Sequence, residues 1–297
     1  MKIVIADDME PEVVENIKKF GEVEYKPADL QKALADAEVL IVRSRTQVTG
    51  ELISGAGKLK LVARAGVGLD NIDVQACEAR GIKVINTPNA SSPAVAELAI
   101  GLMICGLRNV VKANIALLQG NFDKKAMTGR EIGGKTLGII GYGRIGREVA
   151  KRALALGMKV IAYDPYVKEA EPGVRLVSLD ELLATSDIVS LHVALTPETK
   201  GLINAQAIAK MKKTAYLINL ARGAVVDEAA LIAALKEGRI AGAALDVTVR
   251  EPPTGELLNT PNLILTGHLG ASTKEAQARI GEELIRQLNE FFKGGAG

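Results

Sequence analysis

An α/β protein of two open parallel sheets, each with helices on its faces, is the fold this sequence predicts. Three observations predict it. Short β-branched runs alternate with helical patterns from the N-terminus to about residue 90, the same rhythm restarts at Thr136, and a glycine-rich strand–turn–helix from Lys135 to Gly146 opens the second series. A length of 297 residues accommodates two domains.

The elements follow in order. Lys2-Ala6 is a first strand, too short for a signal-peptide core and running straight into Asp7 and Asp8. Helical patterns at Glu12-Phe20, Leu30-Ala35, Gly50-Ala56 and Val74-Ala79 then alternate with strands at Val23-Tyr25, Val39-Arg43, Leu61-Ala65 and Lys83-Asn86. This is a βαβ series, hence a small, parallel, flavodoxin-like sheet. A long connecting helix is expected from Ser92 to about Leu118, with Pro93 tolerated in its first turn. Six further strands are expected at Thr136-Ile140, Lys159-Tyr163, Ile188-His192, Tyr216-Asn219, Gly242-Asp246 and Leu263-Thr266. With helices between them, they make a doubly wound, Rossmann-like domain. The last helix, Thr273 to Phe292, has no strand to follow and is expected to pack on the first domain. That domain is then discontinuous, 1–92 with 271–297, around an inserted dinucleotide domain, 93–270, with a cleft between the two. The tail Gly294-Gly295-Ala296-Gly297 is expected to carry no structure.

Composition narrows the function classes. Hydrophobic residues at 48% and charged residues at 24% describe an ordinary globular chain and exclude disordered and fibrous classes. Lys plus Arg number 37 against 35 acids, and a net charge of +2 gives no drive toward nucleic acid or an anionic membrane. The apolar stretch Val95-Leu107 is interrupted by Glu97 and falls short of the roughly 20 residues that span a bilayer, so it reads as a buried helix. Cys77 and Cys105 stand far apart with no metal-ligand spacing, so reduced thiols and no metal are expected. The expected location is the cytoplasm.

The glycine-rich segment carries the first chemistry. Gly141, Gly143 and Gly146 have the GxGxxG spacing: the first permits a tight turn, the second lets a pyrophosphate approach the backbone, and the third lets helix and strand pack closely. The amides of Arg144 and Ile145 point at the anion from the helix start. Alone the motif is weak. It gains from context, because the following strand, Met158 to Tyr163, ends at Asp164, where a carboxylate accepts hydrogen bonds from the ribose diol and repels a 2′-phosphate. NAD is therefore expected over NADP.

Three later strand ends combine charge with glycine or proline: Asn219-Gly223, Asp246-Pro253 and Thr266-Ser272. In an open α/β sheet, ligands bind at the carboxyl ends of strands, so these segments should share one crevice. They contribute Arg222, Glu251 and His268. Those groups suit hydride transfer from an alcohol: imidazole takes the hydroxyl proton, a neighbouring carboxylate stabilises the imidazolium, and guanidinium clamps a substrate carboxylate.

These segments, with Arg64 through Asp73, Asn86-Thr87-Pro88-Asn89, Gly138 through Arg147 and His268 through Thr273, resemble the D-isomer-specific 2-hydroxyacid dehydrogenase family, its phosphoglycerate-oxidising branch in particular. The resemblance implies that Arg222 binds the substrate carboxylate and carbonyl, that His268 exchanges the proton, and that Glu251 pairs with His268. It implies that the backbone at Ala65, Gly66 and Val67 meets the substrate, that Asp246 orients the nicotinamide carboxamide, and that Val67, Val193, Leu220, Ala221, Gly270 and Ala271 line the cofactor. His192 has no role in that pattern and is expected to be a satisfied core histidine. The chain departs from the pattern at Gly267 and Ala194, usually prolines, and at Thr248, usually aromatic.

Arg43 and Arg64 end two strands of the first sheet and match the branch that takes 3-phosphoglycerate, the first step of serine biosynthesis, in a short form without C-terminal regulatory domains. Arg45 and Arg130 are weaker candidates for the same role, with a solvated surface face as the plainer reading of both. The alternatives are a glyoxylate or hydroxypyruvate reductase, an NAD(H)-sensing corepressor-like protein, and a phosphite or formate oxidiser. The resemblance also implies a homodimer through the NAD-binding domain, with Val95-Leu107 as its interface.

Overall fold

A computed structural model describes residues 1–294. Of the glycine tail, Gly294 ends the last helix, and the other three residues lie outside the described residues. The chain divides into two compact units, one built from Met1–Ser91 with the chain from Ser272 onward, the other from Ser92–Ala271.

The first unit holds a five-stranded sheet of β1 (Lys2–Ile5), β2 (Glu22–Tyr25), β3 (Val39–Val42), β4 (Leu61–Arg64) and β5 (Lys83–Asn86), in the order β2-β1-β3-β4-β5. All pairings are parallel. Strands β3 and β4 are buried along their whole length, which is why they read as unbroken apolar runs rather than alternating ones. Helices α1 (Pro11–Ile17), α2 (Leu30–Leu34), α3 (Gly50–Ser54) and α4 (Val74–Ala79) connect them. Asp29, Thr49 and Asp73 cap the last three by accepting an amide hydrogen bond from the third residue on. The C-terminal helix, Lys274–Gly294, places Ile280, Leu284 and Leu288 on one stripe, packed with Ile3, Ile5, Val13, Val14 and Ile41.

The second unit opens with α5 (Ser92–Leu107) and α6 (Val110–Leu118) and continues as β6 (Thr136–Ile140), α7 (Arg144–Ala155), β7 (Lys159–Tyr163), β8 (Val174–Leu176), α8 (Leu179–Thr185), β9 (Ile188–Leu191), α9 (Ala205–Lys210), β10 (Tyr216–Asn219), α10 (Glu228–Lys236), β11 (Gly242–Leu245) and β12 (Leu263–Leu265). Its seven-stranded sheet runs β12-β11-β10-β9-β6-β7-β8. One apolar core lies between the sheet and α8, α9 and α10; the other lies between the sheet and α5 with α7. The chain leaves β6 toward β7 and β8 and then returns to lay β9 on the opposite side of β6. That reversal opens a crevice at the carboxyl ends of β6 and β9.

Two expectations are corrected. The sheet has a seventh strand, β8, a three-residue edge whose Val-Arg-Leu is too short to stand out from sequence. The expected single helix from Ser92 to Leu118 is two helices bent by 61°. Asn109 takes a left-handed backbone (φ 54), its side chain donates to the Thr128 carbonyl at 3.2 Å, and the Leu107 carbonyl accepts from the Arg130 amide at 2.8 Å. The apolar stretch Val95-Leu107 turns most of its length inward, while Ile104 stays exposed. Val95, Ala96, Ala99, Ile100, Leu102, Met103 and Leu107 are buried in the unit's own core, as expected of a helix apolar on nearly every face.

Candidate active site

The dinucleotide turn follows β6. Gly141 has φ 92, and a Cβ there would lie 2.6 Å from the His192 carbonyl oxygen and 2.8 Å from a Val193 methyl. A Cβ on Gly146 would overlap the Gly141 carbonyl, whereas one on Gly143 would meet nothing within 4 Å. The turn is thus closed at its first and third glycines and open at the second. Gly143 caps α7 with no side chain, so the first amides of that helix, Arg144 and Ile145 among them, are left for an anion.

Asp164 stands at the end of β7. Its Oδ2 accepts from the Tyr142 amide at 2.9 Å and its Oδ1 from the Tyr166 amide at 2.9 Å, which binds the acid to the glycine turn. Tyr142 is buried, its phenol donates to Glu171, and burial followed by the Glu171 carboxylate pushes its pKa up to about 12. The Arg147 guanidinium lies 4.7 Å over the Tyr142 ring and pairs with the same glutamate. The open space beside Gly143, the uncapped amides and the acid beyond β7 together fit the pyrophosphate and ribose of a dinucleotide.

The ends of β10, β11 and β12 carry the candidate catalytic side chains. Asn219 is fully buried; its Nδ2 donates to the Arg222 carbonyl at 2.9 Å and its Oδ1 accepts from the Ala221 amide at 2.9 Å. This closes the loop through the buried Leu220 and Ala221 and sets Arg222, whose Nη1 donates to the Ala221 carbonyl at 2.7 Å. A Cβ on Gly223 would overlap the Thr248 backbone, so the Arg222 loop and the loop leading to Glu251 run in contact. Thr248 is buried at its departure from the family pattern and donates to the Arg250 carbonyl at 2.7 Å.

Glu251 Oε2 lies 3.0 Å from His268 Nδ1, and both side chains are 43% exposed. With Nδ1–H donating to the carboxylate, the Nε2 lone pair is the one left to take a proton. His268 has a left-handed backbone, φ 56. Below it lies Asp246, only 2% exposed, whose Oδ1 accepts from the Thr266 hydroxyl at 2.5 Å and the Leu269 amide at 2.8 Å, and whose Oδ2 accepts from the Gly270 amide at 2.9 Å. A Cβ on Gly270 would lie 3.3 Å from both Asp246 and Val95, and Ala271 closes the unit.

His192 corrects another expectation. It follows β9, and Nε2 lies 2.8 Å from the Ser190 hydroxyl, but Nδ1 is buried with no hydrogen-bond partner. Burial pushes its pKa down to about 3, so the ring is neutral. Among the described residues it is satisfied at one ring nitrogen and not at the other.

The remaining candidates, Arg130 excepted, belong to the first unit. Arg43 follows β3; its amide donates to Asp7 Oδ2 at 2.7 Å and its Nη1 to the Asp8 carbonyl at 3.1 Å. Arg64 ends β4, is largely buried, and donates from Nε to the Arg43 carbonyl at 3.3 Å, with Nη1 3.0 Å from where a Gly66 Cβ would be. Ala65 is buried, the Gly66 carbonyl accepts from the Thr87 amide at 2.9 Å, and the Val67 carbonyl accepts from Asn86 Nδ2 at 2.5 Å. Arg45 is exposed with Nε 3.5 Å from Asp7, and Arg130 donates to the Thr214 carbonyl at 2.8 Å.

Sequence reasoning assigned no role to Asn219, Asp7 or Asn71. Asp7 takes the Thr46 hydroxyl at 2.6 Å as well as the Arg43 amide, and Asn71 Nδ2 donates to the carbonyls of Arg43 at 2.9 Å and Thr46 at 2.6 Å. A polar residue ending an apolar run was the available signal for Asp7 and Asn219.

Residues 100–270 match the profile of the D-isomer specific 2-hydroxyacid dehydrogenase, NAD binding domain. The chain is 47% identical over 296 residues to a hydroxypyruvate reductase of Thermotoga maritima, covering 97% of both chains. It is also 47% identical to a D-3-phosphoglycerate dehydrogenase of Methanocaldococcus jannaschii, where 99% of this chain matches 58% of the relative, so the chain spans little more than half of that protein. Among solved structures, the D-lactate dehydrogenase of Aquifex aeolicus complexed with NAD and lactic acid superposes with a TM-score of 0.90 at 34% identity, over 99% of this chain and 96% of that one. By profile, identity and fold alike, the chain belongs to the D-isomer specific 2-hydroxyacid dehydrogenase family, as an NAD-dependent enzyme.

Proposed function

We propose that the chain oxidises D-3-phosphoglycerate at its 2-hydroxyl to 3-phosphohydroxypyruvate, the entry to serine biosynthesis, and catalyses the reverse reduction. NAD, when bound, accepts the hydride from C2. The observation that carries the chemistry is the 3.0 Å contact between Glu251 and His268 Nδ1, which leaves Nε2 to take the hydroxyl proton. Glu251 holds the ring and stabilises the cation that forms. Arg222 clamps the substrate carboxylate and, in reverse, polarises the carbonyl. Ala65, Gly66 and Val67 meet the carboxylate through their backbone, and Asp246, Val193, Leu220, Ala221, Gly270 and Ala271 hold the nicotinamide half of the cofactor.

The phosphate is assigned to Arg43 and Arg64, cations at the ends of adjacent strands β3 and β4. A dianion needs such a pair, and a smaller hydroxy acid does not. The second reading, hydroxypyruvate reduction, is favoured by the Thermotoga maritima relative that matches from end to end. Initial rates with 3-phosphoglycerate, 3-phosphohydroxypyruvate, hydroxypyruvate and glyoxylate separate the two. We expect Arg43→Ala to lower kcat/KM for the phosphorylated pair about a hundredfold, roughly the 2.7 kcal/mol of a lost charge-assisted contact, and to leave hydroxypyruvate within about twofold. Equal losses on both would remove phosphoglycerate as the substrate.

We propose further that the enzyme is a homodimer through its NAD-binding unit, with the contact on α6 rather than α5. Helix α6 buries none of its residues, and Ile115, Leu117, Leu118 and the following Phe122 are exposed apolar side chains on one continuous segment.

A further inference from the structure

We infer that Asp246 is a positioning residue for His268, holding the turn 266–270 in the one backbone geometry that presents the imidazole to Glu251. The left-handed backbone of His268 is unfavourable for a residue with a Cβ, so something outside the residue must hold it. The preceding residue does not. Gly267 has the least conformational restraint of any residue, and nothing lies within 4 Å of where its Cβ would be.

Asp246 supplies the restraint from four directions. Its carboxylate accepts from Thr266 on one side of the histidine and from Leu269 and Gly270 on the other, and its own carbonyl accepts from the His268 amide at 2.8 Å. These bonds bracket His268 in sequence, so the turn cannot relax toward an ordinary backbone without breaking at least one bond to a buried anion. A carboxylate offers about four acceptor sites, and three are taken here. One remains for a cofactor amide, so the clamp and a cofactor contact are separate roles of one side chain. Thr266 separates them experimentally, because its hydroxyl serves the clamp.

The inference rests on His268 as the proton-transferring group, and the experiment keeps the two apart. Thr266→Val, Thr266→Ser, His268→Ala and the double variant Thr266→Val/His268→Ala are compared for kcat and for NADH affinity by fluorescence titration. The expected result is a kcat about tenfold lower in Thr266→Val with NADH Kd within about twofold of the parent, recovery in Thr266→Ser, and no further loss when Thr266→Val is added to His268→Ala. A parental kcat in Thr266→Val, or the same tenfold loss in the His268→Ala background, would overturn the clamp while leaving His268 in its role. If His268→Ala itself retained the parental rate, the assignment of the base would fail first and the clamp with it.

Discussion

His192 follows β9 with its Nδ1 buried and without a hydrogen-bond partner among the described residues, and its burial bears on stability against pH. The folded protein holds the ring neutral, with a pKa pushed from 6.5 down to about 3 by burial, while the unfolded chain takes up the proton near the ordinary value. Stability from this group is complete above pH 6.5 and is lost as the pH falls from there toward 3, because the unfolded state binds a proton that the folded state refuses. The loss is about 1 kcal/mol for each pH unit inside that window. His192→Asn, which keeps a hydrogen-bonding partner for Ser190, should flatten this part of the acid limb when urea midpoints are followed from pH 7 to pH 4; an unchanged slope would mean that other groups set it. The same residue marks where the sequence stopped being informative. Arg222, Glu251 and His268 could be singled out as candidates from sequence because charged residues beside glycine or proline at strand ends are rarely placed by packing alone. The unsatisfied Nδ1 of His192, the loop closure by Asn219 and the bracketing of His268 by Asp246 could not, since each depends on atoms brought together by β9, β10, β11 and β12 from distant parts of the chain.

At the level of elements, the three glycines between β6 and α7 make different demands that one motif conceals. Gly146 lies against the Gly141 carbonyl, a backbone atom that cannot swing aside, so Gly146→Ala should destabilise the folded enzyme by roughly 1–3 kcal/mol as an overpacked site. Gly143 faces open space, with φ −82, a value any residue adopts, so Gly143→Ala should fold with unchanged stability. Its methyl group would occupy the approach of the pyrophosphate, and we expect NADH Kd to rise at least tenfold. Denaturant midpoints and NADH titrations on the two variants check this, and a Gly143→Ala enzyme that binds NADH normally would place the pyrophosphate elsewhere. The glycine spacing was legible because its strand and helix are long and strongly patterned. Strand β8 and the bend at Asn109 were not: the first is three residues at a sheet edge, and the second is fixed by hydrogen bonds to the Thr128 carbonyl and from the Arg130 amide, which no local pattern reports.

For the molecule as a whole, the open question is what covers α6. Leu118 and Phe122 are 80% and 82% exposed, and beside them runs an apolar groove of about 890 Å³ lined by Ile115, Met127, Tyr216, Leu263 and Ile264. Apolar surface on this scale leaves a favourable hydrophobic contribution unrealised in a lone chain, at about 25 cal/mol for each Å² that could be buried, and a net charge of +2 sets little repulsion against a second copy. The groove lies at the starts of β10 and β12, since Tyr216 and Leu263 are their first residues, whereas Arg222 and His268 follow the ends of those strands. A partner seated there would leave the reactive side chains of the same unit uncovered. Sedimentation velocity should therefore find a dimer, and Ile115→Glu/Leu118→Glu should give monomers, because two carboxylates per chain would have to be desolvated in the contact. The monomer should bind NADH with the parental Kd, as its glycine turn and the Asp246 clamp are built from residues that α6 does not supply. A monomeric parent enzyme would remove the dimer, and a monomeric variant that no longer binds NADH would mean that α6 supports the cofactor site through the fold of the unit itself.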